Sequence, residues 1–106
     1  MTTRDETAAL ADMVRWCFSK SLDARVDAAK RAELLVLGEQ LQGRVERLAA
    51  RRFDEGKSGF AEARAELTAT IASVKKRQDD LDALEGTLAK VAAVIGAADK
   101  LLGVVL

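Results

Sequence analysis

The groups in this sequence best able to do chemistry are carboxylates, densest at Asp79-Asp80-x-Asp82 and Asp54-Glu55. A pair of carboxylates works as general acid and base only in a pocket that shifts their pKa values. A slim helical chain offers no such pocket, so these acids read as a solvated helix face. The 106 residues contain no histidine. That removes the commonest catalytic base and metal ligand, and with it the Glu-x-x-His pairs of a dimetal carboxylate bundle. No catalytic, cofactor-binding or metal-binding residue is expected.

Three other patterns call for the same weighing. Arg44, Arg47, Arg51 and Arg52 line one helical side and could grip phosphate, but Glu46, Glu62 and Glu66 are placed to neutralise them. With 17 basic and 17 acidic residues the chain has no formal net charge, so a nucleic-acid role is not expected. Gly56-Lys-Ser58 matches the end of a phosphate-binding loop. The first glycine of that motif would fall at Arg51, and no strand precedes it; the segment is a turn. Cys17 shares a face with Leu10, Met13 and Val14 and reads as a small buried hydrophobe. A lone cysteine makes no internal disulfide.

What must position these residues is helix. Apolar residues make up 49% of the chain, aromatic residues only 4%, and proline is absent. Alanine, leucine and charged residues dominate, as in long helices and coiled coils. The fold class is therefore all-α, in one domain spanning residues 1–106. Thr3 and Glu6 have capping-box spacing. The only cluster of turn formers is Asp54-Glu-Gly-Lys-Ser-Gly59, where Gly56 could take a left-handed cap, Ser58 could cap the next helix, and Phe53 and Phe60 flank the turn.

This punctuation predicts a long antiparallel helical hairpin with arms 4–54 and 58–106 around a turn at 54–59. In the second arm Phe60, Leu67, Val74, Leu81, Leu88, Ile95 and Leu102 repeat every seven residues, a coiled-coil seam, although Arg77 interrupts the accompanying positions. A hairpin pivoting there pairs opposite charges such as Asp12–Lys100, Arg15–Asp99 and Arg47–Glu66. The rival reading breaks the first arm near Ser19-Lys-Ser21, with Ser21 and Asp23 capping the restart. The first ~17 residues then form a separate helix and fold back as a compact three-helix bundle, with a radius of gyration of about 13–14 Å.

The hairpin reading leaves too much apolar surface at the end away from the turn. Leu10, Val14, Trp16 and Phe18 face Val91, Ile95, Leu102 and Val105 there, with apolar side chains nearly all round. Leu34-Leu-Val-Leu37 is likewise apolar around most of its helix and needs more than one neighbour. Large apolar patches mark interaction sites. The expected function is a non-enzymatic interaction protein (adaptor, chaperone-like or assembly subunit) whose open end binds itself or another helical protein. The alternative is a membrane-active, pore-forming or secretion-associated hairpin that inserts residues 91–106, which reach only about 24 Å as a helix. The polar start, Met1-Thr-Thr-Arg-Asp-Glu-Thr, has no signal-peptide core, so a cytoplasmic location is expected.

In size and hairpin outline the chain resembles the small helical hairpins exported by type VII secretion systems. Those carry Trp-x-Gly in the turn and a tyrosine in their export signal. Here the turn reads Phe53-Asp-Glu-Gly56, the only tryptophan is Trp16, and there is no tyrosine. The resemblance implies an outline and transfers no functional residue.

Overall fold

The computed structural model describes residues 3–51 and 56–104, with side chains from residue 5 onward. Among the described residues four helices follow one another: α1 (Thr3–Ser21), α2 (Ala28–Ala50), α3 (Phe60–Lys75) and α4 (Leu84–Val104), the last entered through a 3₁₀ turn over Leu81–Ala83. Both predicted arms are therefore broken, and the protein is a four-helix bundle.

The first break falls at residues 22–27, a few residues beyond the serines. Ser21 Oγ donates back to the Phe18 carbonyl at 2.6 Å inside α1. Asp23 accepts from the Arg25 backbone N–H at 2.9 Å, and Asp27 then caps α2 by accepting from Lys30 N–H at 2.9 Å. Two aspartates, each satisfying amides a few residues ahead, make a reversal easier here than a continued helix. The second break, at residues 76–80, contradicts the continuous arm 58–106. Asp80 accepts from Asp82 N–H at 3.0 Å and starts the 3₁₀ turn. The heptad conceals this reversal. Phe60, Leu67 and Val74 are buried on α3, Leu88 and Ile95 on α4, and Leu81 and Leu102 pack at the margin.

Between α2 and α3, Gly59 precedes the first residue of α3 with φ of 85°, a left-handed conformation that a side chain would strain. No side chain caps α3, so Ser58 does not fill the predicted role. Phe53, Asp54 and Glu55 lie outside the described residues.

Each hairpin packs on itself, α1 on α2 and α3 on α4. In the second, Lys100 Nζ reaches Glu66 at 2.9 Å, and Gly59 lies beside Val104, which fixes the antiparallel register. Glu6 meets Arg64 and Thr68, and Trp16 meets Gln78, so α1 runs parallel to α3. It follows that α2 runs parallel to α4, where Arg44 pairs with Asp99 at 2.9 Å. No close approach joins α1 to α4 or α2 to α3, so those pairs stand across the diagonals. The predicted charge register is replaced accordingly. Asp99 and Lys100 pair with Arg44 and Glu66, and Asp12 with Arg15 on its own helix.

The core runs the length of the bundle, with Leu10, Leu34, Leu41, Leu67, Val91 and Leu101 sealed from solvent. Its only buried polar or charged residues among those described are Glu6 and Thr87. Thr87 donates its hydroxyl to the Ala83 carbonyl one turn back at 3.1 Å. The radius of gyration is 13.9 Å and the extents are 45 × 22 × 18 Å.

Candidate interaction surfaces

The structure places the residues expected to carry association inside the chain. Leu10, Val14, Val91 and Ile95 are buried, while Trp16, Phe18 and Leu102 pack half-buried against the same core. Val105 lies outside the described residues. The two apolar segments do not face each other as expected: α1 and α4 stand across a diagonal, and each is covered by the two helices beside it within one subunit. In particular, α4 turns Val91, Val94, Ala97, Ala98 and Leu101 inward. Among the described residues no helix is long and apolar enough to cross a membrane.

Cys17 is fully buried beside Phe18 and opposite Gly38. Burial pushes its thiol up from about 9 to about 12, because a thiolate would lose its hydration there. It is a packing residue with no chemistry to offer at neutral pH. Among the described residues no group of acids or cysteine is arranged to hold a metal ion.

Three surface features remain. The first is the seam between α1 and α3. Glu6, almost fully buried, accepts from Arg64 Nε at 2.8 Å and from Nη2 at 3.4 Å, with the Thr68 hydroxyl at 3.4 Å. Glu6 thus turns toward α3 instead of serving only its own helix start. At the far end of the seam, Trp16 donates its indole N–H to the Gln78 carbonyl at 2.9 Å. Along α3, on both sides of Arg64, the surface is hollowed because the helix is floored with alanine. A groove of about 650 Å³ runs past Ala61, Ala65, Ala69 and Ala72, and a smaller one of about 200 Å³ continues toward Ala9 and Lys75. The Glu6–Arg64 pair beside it is self-neutralised.

The second feature is the outer side of α4, a run of small residues including Gly86, Ala89, Ala93, Gly96 and Gly103. A Cβ added at any of these three glycines would meet nothing within 4 Å. The third is the outer face of α2 and the connector before it. Leu22, Leu35 and Val36 are 84%, 45% and 52% exposed, the only large hydrophobic residues so placed among those described. Leu34 and Leu37, from the same tetrapeptide, are buried. The continuous apolar run Leu34–Leu37 was the signal for this face: the helices packed on α2, α1 and α4, leave two of its residues buried and two exposed.

No family model matches the chain, no curated protein is similar to it, and no solved structure matches its fold.

Proposed function

We propose that the protein is a non-enzymatic helical interaction module, an adaptor or assembly subunit that works by helix packing. The observation that carries this reading is the exposed apolar face on the first half of α2, where Leu35 and Val36 stand among alanines; apart from these two and Leu22 of the connector, the large apolar residues among those described are covered at least in part. A large side chain on an outer helix face gains nothing in isolation, and a contiguous set of them marks a place where another protein sits. The face also differs from the ends of the helices, whose apolar residues are spent on the chain's own core.

The test is site-specific photocrosslinking in the cells that make the protein. A photoreactive residue at position 36 is expected to give a discrete adduct, and one at Asp12, on exposed polar surface, none. Absence of an adduct from both positions 35 and 36 would remove the reading.

A further inference from the structure

We infer that the reversal between α3 and α4 is a conformational switch: residues 76–80 can join the two helices into one, and two chains opened in this way exchange their α4 helices. The place of α4 beside α2 and α3 is then taken by α4 of a second copy. The exposed α2 face has no part in this exchange.

Helix reversals are commonly fixed by glycine or proline, and this one has neither. It reads Lys76-Arg-Gln-Asp-Asp80, and among the described residues only a glycine, Gly59, has a positive φ. Lys76 keeps helical dihedrals, and the Arg77 N–H still donates to the Val74 carbonyl at 3.0 Å. At Asp80 the chain is extended, with φ of −97° and ψ of 103°. The periodicity ignores the break as well. Phe60, Leu67, Val74, Leu81, Leu88, Ile95 and Leu102 hold one seven-residue phase through it. A hairpin imposes no phase relation on its two helices, whereas a single helix does. These residues all pack in or against the core. One fused helix over residues 60–104, about 67 Å long, therefore keeps the same seam inward.

Two hydrogen bonds hold the switch closed. A continuous helix would bond the Asp82 N–H to the Gln78 carbonyl four residues back. In the structure each half of that bond is held by a side chain. The Asp82 N–H donates to the Asp80 carboxylate at 3.0 Å, and the Gln78 carbonyl accepts from the Trp16 indole N–H at 2.9 Å. Opening exchanges both for the helical bond. The fused helix also sets Lys75 and Lys76 four residues before Asp79 and Asp80, a spacing at which opposite charges meet.

The exchange preserves the core. Within one chain Gly59 lies beside Val104, and Glu66 pairs with Lys100, a register centred near Asp82. Two fused helices laid antiparallel about a two-fold axis near that residue repeat the same contacts between chains. In each half, α1 and α2 stay with α3 of their own chain and cover α4 of the other. Closed and exchanged forms thus differ mainly at the hinge, so concentration and the two latch bonds set the balance.

The test is to unfold the purified full chain in urea, refold it at about 500 μM, and measure its mass by size exclusion with light scattering. One latch bond biases a hinge about fivefold and a dimer opens two hinges, so Trp16→Phe or Asp80→Ala should raise the dimerisation constant about twenty-fivefold. Asp80→Asn keeps an accepting oxygen and should not. Leu81→Pro should refold as monomer. Proline suits the first helical position after an extended Asp80, and it bars the fused helix. Carbodiimide joins ion-paired lysine and glutamate directly. With light and heavy-isotope chains mixed before refolding, the Glu66–Lys100 link should join light to heavy peptides in the dimer and never in the monomer. Trp16→Phe and Asp80→Ala chains that both refold only as monomers overturn the inference. So does a dimer that persists in Leu81→Pro, or one whose Glu66–Lys100 link stays within a chain.

Discussion

Arg64 donates to Glu6 across 2.8 Å, and this buried pair ties together α1 and α3, the two neighbouring long helices with the slightest contact. Without Glu6, the mostly buried Arg64 guanidinium would lose two hydrogen bonds and an ion pair. Glu6→Ala is expected to destabilise the fold by about 3 kcal/mol, while Glu6→Leu combined with Arg64→Leu should recover most of that loss. Urea midpoints of the three proteins decide it. A double variant as unstable as the single one would show that the pair contributes more than mutual neutralisation.

Two glycines of α2 should respond in opposite directions. A Cβ at Gly38 would lie 2.7 Å from the Phe18 ring and 3.2 Å from Cys17 Cβ, so α1 and α2 could not keep their spacing. Gly38→Ala should cost about 1–2 kcal/mol net despite the gain in helix propensity. Gly43→Ala, into open space, should raise monomer stability by about 0.5–1 kcal/mol. Thermal melts at low protein concentration compare them without interference from association.

At alkaline pH the buried thiol gives a signed prediction. Its pKa rises from about 9 unfolded to about 12 folded, so the unfolded chain releases this proton first. The stability Cys17 contributes is complete below pH 9 and is lost progressively as pH rises toward 12. Cys17→Ala should flatten that part of the stability curve. Chemical denaturation at pH 8 and pH 10 reads the difference, and an equal alkaline loss in both proteins would refute the assignment.

At acid pH the connector between α1 and α2 should give way early. Hydrogen bonds from the Arg25 side chain and backbone hold the Asp23 carboxyl well below the usual carboxylate range, and the Lys30 backbone N–H lowers Asp27. Folded pKa values below unfolded ones mean stabilisation that is present above about pH 4 and lost as pH falls further. Asp27→Asn, which keeps a capping oxygen, should remove part of that acid dependence. Asp27→Ala should lower Tm by several degrees at neutral pH, because Lys30 N–H then lacks its cap. Melts at pH 3 and pH 7 separate the two effects.

Much of this architecture was readable in the residues. The all-helical class, the turn region before Phe60 and the buried seam of Phe60, Leu67, Val74 and Leu88 followed from periodicity and composition, whereas Leu10, Val14, Val91 and Ile95, read as an open interaction surface, lie in the core. The reversal at residues 76–80 did not, because Val74, Leu81 and Leu88 keep seven-residue spacing across a break, and spacing alone does not record the direction of the chain. Arg77 in a seam position was the local sign of trouble. The first break was legible as an alternative only: α1 ends at Ser21, where that alternative placed it, and Asp23 bonds the backbone as it supposed, but Asp27 and not Ser21 caps the restart. Misreading both breaks carried over to the surface. Two arms would have left Leu10 and Ile95 wet, whereas four helices cover them and leave Leu35 and Val36 instead.

The order in which the helices pair has a consequence for how the chain reaches its native state. Each helix finds its main packing partner immediately next to it along the polypeptide, across connectors of six and eight residues. Closing such short loops costs little entropy, and topologies of this kind fold within microseconds to milliseconds. During synthesis the first hairpin can close while residues beyond Phe60 are still being added, so its apolar stripe waits only for the second half to arrive.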